Sequence, residues 1–412
     1  MGNLNLGVVE CLECGNAFSC RIGLSNKNEQ ELSLSCKECG SISMFNISEM
    51  KNLSMTGVKS SQKKPSYHMD LHLDFPVFEH ESHPILSPFI MSHLMGGDSS
   101  TAKHAYNTSL LNDISNDIVD IKNTLGFYLK KKYKPFSRKV SSYLDIEEVE
   151  LDANKAEMLL FRYLFELIEP FNSQENVNDS IDVFSKEING LSNSESAALK
   201  AFTDEVGGSM FIVHSISDAV KIYQKMLSKE VIFRPSLFLD NIDGYEGNKV
   251  PFLLSTKDFE YIGDLFKDIS EVLSRQLVIV AGLNNLIKRG DHNKFKVTLS
   301  NSKNKSLEPK SLKQYADLDF GKKMDFIDSS WFAISNDIAD NQLRNSTAHF
   351  KWEYDPSTQI IKYYPKKEGL NRVVSKELFL IDYCKKIIES FRVFHQLNYL
   401  LHIVNLKYLN KI

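Results

Sequence analysis

Apolar residues recur at helical spacing over most of the chain beyond residue 105. In the stretch 108–132 the spacing is close to one apolar residue in every 3.6, at Leu111, Ile114, Ile118, Ile121 and Leu125. The stretches 151–170 and 256–289 repeat this pattern, and a final stretch extends from residue 375 to about residue 408. The pattern predicts a mainly α-helical protein.

Two regions instead alternate apolar and polar residues, which is typical of β-strands. Near the N-terminus the alternation covers residues 17–21 and 31–35. Near the C-terminus residues 350–354 and 359–364 alternate on either side of a turn that contains Pro356. The second region predicts a small β-hairpin inserted between helices.

Five of the six cysteines lie before residue 40, and four of them form two CxxC pairs: Cys11, Cys14, Cys36 and Cys39. Two intervening residues let the backbone fold back, so that each pair aims two thiolates at one ion. The glycines that follow the pairs, Gly15 and Gly40, tolerate the left-handed backbone that such turns need. This clustering favours metal binding in a reducing compartment over a disulfide framework.

Four thiolates form a closed tetrahedral shell with no open coordination position, which is typical of structural zinc. Together with the short strands, the pattern predicts a zinc ribbon over residues 1–55 whose Zn²⁺ is structural. Cys20 lies outside the CxxC pattern, and we interpret it as a small buried residue. Basic and acidic residues balance over this segment, so it offers no strong phosphate-binding face.

Composition and charge are those of an ordinary globular protein. The chain has 412 residues, enough for about two to four domains, and its net charge of −4 excludes a polycation that coats nucleic acid. The N-terminus lacks the basic start and apolar core of a secretory signal, and no run of about 18 apolar residues is present to span a bilayer. We therefore predict a cytoplasmic protein with no membrane contact.

The segment that follows the cysteine pairs is polar and then rich in histidine. Residues 51–66 are small and polar, and six of the eleven histidines fall between His68 and His104. We interpret residues 56–104 as a linker followed by an irregular, histidine-rich stretch.

Two of these histidines raise the question of a second metal site. His68 and His72 are four residues apart and would share one face of a helix, with three acidic residues nearby: Asp70, Asp74 and Glu79. The prolines of this segment interrupt any helix, and the histidine spacings do not repeat a ligand motif. We therefore favour the interpretation without a metal.

The predicted helical middle region, residues 105–250, contains a basic cluster. The cluster contains four lysines: Lys130, Lys131, Lys132 and Lys134. Arg138 and Lys139 follow them, and aromatic residues lie between these cations. Cations combined with aromatic side chains contact phosphates and stack bases, so the lysines are candidate RNA contacts. A solvated helix end whose charges suit the helix dipole explains the same residues, and we favour that explanation.

A constellation of polar residues lies near the end of the chain. Arg344 is followed directly by Asn345 and, five positions on, by His349; of the nine arginines, only Arg344 has a histidine at this distance. Here the sequence resembles the HEPN family of helical-bundle ribonucleases. Their signature is an arginine followed after four to six residues by histidine, very often with asparagine next to the arginine. A late helix, a hairpin and a long closing helix give the motif a matching context, and the resemblance covers about residues 251–412.

The residue types support RNA cleavage. An imidazole takes a proton from a ribose 2′-hydroxyl or delivers one to the leaving 5′-oxygen, and a guanidinium stabilises the charge of the transition state. Asn345 precedes His349 by four residues and so shares its helical face. Arg344 and His349 lie about 140° apart on an ideal helix, so one protomer does not place them side by side. The resemblance implies a homodimer in which the two motifs meet.

The resemblance further implies a metal-independent endoribonuclease that leaves 2′,3′-cyclic phosphate ends. HEPN nucleases commonly act as toxins or in defence against phage, so a trigger or antitoxin protein is an expected partner beside RNA. Asp337 or Asp340 would hold the guanidinium, although an ordinary surface pair explains Asp340 equally well. Two alternatives stay open: a non-catalytic interaction module whose zinc ribbon binds a partner, and a nucleic-acid-binding regulator that uses the basic cluster.

Overall fold

The computed structural model describes residues 2–49, 52–78, 80, 86–172, 174–194, 196–247, 249, 251–256, 259–296, 309–328, 332, 340–366 and 372–409. The chain folds into two compact units, each assembled from three separate segments. The first unit comprises Met1–Asn116, Leu227–Leu265 and Gln342–Ile388; the second comprises Asp117–Met226, Phe266–Asn341 and Glu389–Ile412. The fold is mainly helical with small sheets, as the hydrophobic pattern predicts.

Strands form the N-terminal part of the first unit. Their bounds are β1 (Asn3–Cys11), β2 (Ala17–Gly23), β3 (Glu29–Ser35), β4 (Ile42–Ser48), β5 (Asn52–Thr56), β6 (Val58–Ser60) and β7 (His68–Leu71). They make two sheets, in the orders β6-β1-β2-β7 and β3-β4-β5. Neighbouring strands are antiparallel except β2 and β7, which are parallel.

The two N-terminal sheets share one hydrophobic core. Alternate residues of β2, among them Phe18, Cys20 and Ile22, are fully buried in it, together with Leu32 and Phe45 from the other sheet. The interpretation of Cys20 as a buried residue is confirmed. Because the core draws on both sheets, the N-terminal region is a two-sheet module, which is more than the two short strands that alternation alone predicts.

The α-helices of the described residues have the following bounds: α1 (Pro88–Asn116), α2 (Ile118–Leu129), α3 (Tyr133–Tyr143), α4 (Ala153–Ile168), α5 (Gln174–Ser194), α6 (Ser196–Gly208), α7 (Phe211–Ser228), α8 (Arg234–Phe238), α9 (Phe259–Arg289), α10 (Leu312–Ala316), α11 (Phe320–Met324), α12 (Asn341–Ala348) and α13 (Leu380–Leu409). Gly97, with φ 77°, kinks α1. In the described ranges, no helix combines the length and apolarity needed to cross a bilayer.

A three-stranded antiparallel sheet precedes the last helix. It consists of β8 (Trp352–Asp355), β9 (Ile360–Tyr363) and β10 (Lys376–Phe379), with β9 in the centre. The predicted hairpin is present as β8 and β9. The prediction that the final helix begins at residue 375 is wrong, because the chain pairs with β9 as β10 and turns helical only at Leu380.

The segment 56–104 contains regular structure that its composition does not indicate. It includes β6, β7 and the first part of α1, and β5 lies within the polar stretch 51–66. Most side chains of β5 and β6 are exposed or half-buried, so polar residues suit them. These edge strands are defined by backbone pairing with β4 and β1 and not by an apolar face.

A buried ionic cluster joins three parts of the first unit. The guanidinium of Arg234 is fully buried at the start of α8 and donates to Asp74 Oδ1 at 2.9 Å and to Glu230 Oε2 at 2.6 Å. It also donates to Asn112 Oδ1 of α1 at 2.6 Å, and Glu230 accepts a further bond from Lys27 Nζ at 3.1 Å. The cluster therefore connects α1, the turn after β7 and the segment that leads into α8.

Candidate functional site

Each CxxC pair occupies the turn of a hairpin. In the turn between β1 and β2, the amide of Cys11 donates to Asn16 O at 2.9 Å and the amide of Gly15 donates to Cys11 O at 2.9 Å. The turn between β3 and β4 repeats both bonds between the equivalent residues, at 2.9 and 2.8 Å. Gly15 and Gly40 have φ values of 71° and 72°, the left-handed backbone that the sequence predicts.

The two turns bring the four cysteine sulfurs together. All four lie within 4.8 Å of one another. Cys11 Sγ is 3.8 Å from Cys39 Sγ, and Cys14 Sγ is 3.7 Å from Cys36 Sγ. A tetrahedral ion with metal–sulfur bonds of about 2.3 Å requires sulfurs roughly 3.8 Å apart. The four cysteines therefore fit one tetrahedral metal ion.

Polar groups around the sulfurs favour the thiolate form at two cysteines, since hydrogen bonds from Ser41 lower the pKa of Cys39 as well as that of Cys11. Burial raises the pKa of Cys11, but a hydrogen bond from Ser41 Oγ, 3.1 Å away, and the backbone amides of Cys14 and Glu13 lower it, to about 6 overall. Ser41 Oγ lies at the same distance, 3.1 Å, from Cys39 Sγ. A thiolate is the form in which cysteine binds metal.

The thiol of Cys14 is disfavoured as a thiolate by its neighbours. The amide of Asn16 lowers the pKa of Cys14, but burial and the other three sulfurs raise it, to about 12 overall. Thiolates that lie this close repel one another. A cation at the centre would remove that repulsion, which is the electrostatic reason that four sulfurs in this arrangement suit a metal ion.

Helix α12 holds the candidate catalytic residues, and its buried side is anchored in the first unit. Leu343 is buried, Ser346 Oγ donates to Tyr364 O at 2.9 Å, and Thr347 Oγ1 lies 3.3 Å from the hydroxyl of Tyr383. These contacts fix the position of the helix. Arg344 and Asn345, on the same helix, are half-buried.

Arg344 and Asn345 are in direct contact. Arg344 Nη1 donates to Asn345 Oδ1 at 2.9 Å. Partial burial lowers the pKa of Arg344, although a guanidinium stays protonated at neutral pH. The amide therefore orients one edge of a partly desolvated cation.

His349 lies just beyond the helix and is exposed. Its amide donates to Asn345 O at 3.1 Å, and the amide of Lys351 donates to Ser346 O at 2.8 Å. Phe350, between them, has φ 54°. A left-handed residue combined with this six-to-one bond is the Schellman ending of a helix. The amide of His349 thus makes the last helical bond of α12, and the backbone leaves the helix only at Phe350.

The two supporting aspartates are placed differently. Asp337 lies outside the described residues. Asp340 is half-buried and directly precedes α12.

The histidine-rich segment does not form a metal site among the described residues, where the four cysteines are the only such group. His68 lies in a strand, so it and His72 share no helical face. His68 Nε2 is 3.2 Å from Asp70 Oδ1, whereas His72 Nδ1 accepts from the amide of Asp74 at 3.0 Å. Glu79 lies outside the described residues. Each histidine thus belongs to its own hydrogen-bonded group.

The basic cluster lies at the turn between α2 and α3. Its lysines are exposed, and so is Arg138. Two of the neighbouring aromatic residues point elsewhere: Phe136 is fully buried, and the hydroxyl of Tyr128 donates to the buried carboxylate of Glu157. Phe136 and Tyr128 therefore contribute to the core of the second unit, whereas the third interleaved aromatic residue, Tyr133, is half-buried at the start of α3.

Sequence reasoning missed two features. The cluster around Arg234 depends on Asp74, 160 residues away, and only the Glu230–Arg234 spacing hinted at an ion pair. The sequence does not indicate the left-handed backbone of Phe350, because that angle follows from where α12 ends.

No protein-family model, curated protein or solved structure matches this chain. The resemblance to HEPN ribonucleases therefore rests on the motif at residues 344–349 and on the helix, hairpin and helix around it.

Proposed function

We propose that this protein is a metal-independent endoribonuclease of the HEPN type, acting as a toxin or phage-defence effector. One observation supports this most: Arg344 and Asn345 are hydrogen-bonded to each other on a short, well-anchored helix, and exposed His349 follows directly after its end. The guanidinium is partly desolvated and oriented by an amide, while the imidazole faces solvent. A partly desolvated cation stabilises developing negative charge better than a fully solvated one.

The proposed reaction uses these groups as follows. The ribose 2′-oxygen attacks the adjacent phosphorus as the bond from phosphorus to the 5′-oxygen breaks, which gives a 2′,3′-cyclic phosphate and a 5′-hydroxyl. His349 accepts the 2′-hydroxyl proton, or in the partner role donates a proton to the leaving oxygen. Arg344 stabilises the charge on the phosphoryl oxygens, and Asn345 positions the guanidinium. Two protomers supply the two histidine roles in a homodimer.

We also propose that the cysteine cluster holds structural zinc. Four thiolates leave no coordination position for substrate, so the ion would hold the two hairpin turns and take no part in cleavage.

Replacing Arg344 or His349 with alanine is expected to abolish RNA cleavage. Because each group acts on the transition state, each variant should lose at least about 100-fold in rate. The measurement is cleavage of total RNA in EDTA, with the ends identified as cyclic phosphates. Arg162→Ala and His214→Ala, which remove exposed residues of the same types, serve as controls.

Equal activity of the active-site variants and these controls would exclude the proposed site. In a mixture of wild type and His349→Ala, each mixed dimer keeps only one of the two histidines and should lose most of its activity if two protomers share one site. Circular dichroism of every variant excludes loss of folding as the cause.

The basic cluster favours a second candidate function, RNA binding without cleavage. Lys130 follows the last turn of α2, where a cation suits the helix dipole, but Lys132 and Lys134 stand at the start of α3, where it does not. Favourable helix ends therefore explain only part of the cluster. Exposed cations suit contact with the phosphate backbone, independent of base sequence.

Changing Lys130, Lys131, Lys132 and Lys134 together to glutamine is expected to weaken RNA binding and its salt dependence. Four lost phosphate contacts should make the slope of log K against log salt shallower by roughly 3 for single-stranded RNA. The matched control removes four scattered, exposed lysines: Lys103, Lys155, Lys200 and Lys313. An equal loss in the control would show that net charge alone is responsible, which would exclude a binding surface at this turn.

A further inference from the structure

Phe350 combines two locally unfavourable features directly after His349. Its backbone has φ 54°, and its side chain is 78% exposed. The left-handed position after a helix usually belongs to glycine, because a Cβ there clashes with the backbone. A bulky residue at such an angle is a genuine outlier, and outliers of this kind cluster at functional sites.

Packing does not account for the phenyl ring. The Schellman bonds that end α12 are made by backbone atoms and would form equally with glycine. The exposed ring gains little from the hydrophobic effect where it stands. The fold thus tolerates Phe350 without a visible gain in stability. The ring is therefore a candidate for contact with a ligand.

One cation contacts the backbone of Phe350, and another follows it in the chain. Arg372 Nη2 approaches the carbonyl oxygen of Phe350 at 3.4 Å, and its guanidinium lies 5.3 Å from the ring centre of Tyr364. Lys351 follows Phe350 directly. Val373, next to Arg372, is also 78% exposed. The exposed ring thus belongs to a segment that a guanidinium contacts.

We propose that Phe350 is a stacking platform for an unpaired nucleobase beside the scissile phosphate. Single-stranded RNA is recognised by stacking its bases on aromatic side chains while cations contact its phosphates, and the surroundings of Phe350 supply both. The proposal rests on the proposed ribonuclease activity, and it adds a residue that positions the substrate by contacting an unstacked base.

Phe350→Gly separates stacking from folding, because the two readouts should move in opposite directions. Glycine relieves the left-handed backbone, so the midpoint of thermal unfolding should rise. Loss of the ring should lower cleavage of single-stranded RNA, and its binding in the His349→Ala background, by roughly 5- to 150-fold, which corresponds to the range for one stacked base. Phe350→Trp should retain both activities and show fluorescence quenching by RNA. Tyr106→Ala, at another exposed aromatic residue, should change neither.

The outcomes distinguish this proposal from the one on which it rests. Cleavage that is unaffected in Phe350→Gly would overturn the stacking role while leaving the ribonuclease proposal intact. A wild-type protein that binds RNA through Phe350 but never cuts it would overturn the ribonuclease and keep the platform. A variant that loses only dimerisation would assign the ring to a protein interface and overturn the platform.

Discussion

Removal of the proposed metal ion, or replacement of Cys36 with serine, is expected to open the two N-terminal hairpin turns and strongly destabilise the first unit. The four sulfurs converge from two turns that are 21 residues apart in the sequence, and a metal ion at their centre would join all four. In small zinc peptides the metal contributes about 10–16 kcal/mol of apparent folding free energy.

The expected loss in this protein is smaller, because the hairpins also share a hydrophobic core. Phe18, Leu32 and Phe45 stay buried between the sheets whether or not the ion is bound. We expect a loss of roughly 5 kcal/mol, together with rapid proteolysis near Cys14 and Cys39, which lie on the exposed side of the cluster.

Metal content, chemical denaturation and limited proteolysis measure this effect. The matched control is Cys20→Ala, which removes a fully buried thiol that is not part of the cluster and should keep one metal ion per chain. A purified protein with four reduced thiols and no bound metal would contradict the prediction. A Cys36→Ser variant as stable as wild type would contradict it as well.

The cysteine cluster could be predicted because its geometry is local. Two residues between the cysteines and a glycine after them determine each turn, and Gly15 and Gly40 have the backbone angles that the pattern requires. Only the meeting of the two turns depends on the rest of the fold. The same locality explains why the long helices α4 and α9 follow closely from apolar periodicity.

The sheets around the cluster could not be predicted in the same way. Strand β7 pairs in parallel with β2, with Ser19 opposite His68, and nothing in either segment specifies that distant partner. The apolar pattern of residues 376–379 is compatible with a helix as well as with a strand. Pairing with β9 makes this segment a strand. Long-range pairing is thus the part of this fold that periodicity does not contain.

The candidate ribonuclease site lies between these cases. The sequence predicts which residue types form the motif from Arg344 to His349. Where their side chains lie depends on how α12 ends. His349 makes the last i→i−4 bond of α12, and the left-handed angle of Phe350 ends the helix directly after it. A sequence that ends a helix with a bulky residue gives no local sign of that turn.

Arg234→Met is expected to cost about 3–5 kcal/mol of stability, because it leaves Asp74 buried without its cation and Glu230 with Lys27 alone. Arg234 is fully buried, and its side chain touches both Asp74 and Glu230. Methionine keeps much of the volume, so the loss reports the missing charge and its hydrogen bonds. Lys27 still reaches Glu230, but the structure gives Asp74 no comparable second cation.

The pH dependence of this variant follows from Asp74. In the wild type, burial raises the pKa of Asp74 but Arg234 and His72 lower it below its usual value. The carboxylate therefore stabilises the fold above the unfolded-state pKa, and this contribution is lost as the pH falls through the lower, folded value. Without Arg234 the burial effect should dominate and raise the folded pKa above the unfolded one. The penalty of Arg234→Met should then be largest near neutral pH and shrink towards about pH 4.

Denaturant titrations at several pH values test this account. Adding Asp74→Asn and Glu230→Gln to Arg234→Met removes the stranded charges and should recover much of the loss, although neither change alters the missing arginine contacts. Arg275→Met breaks a partly exposed pair with Asp218 and should cost no more than about 1 kcal/mol. If the triple variant were no more stable than Arg234→Met, uncompensated charge could not be the cause, and the arginine would matter for its packing and hydrogen bonds to Asn112 instead.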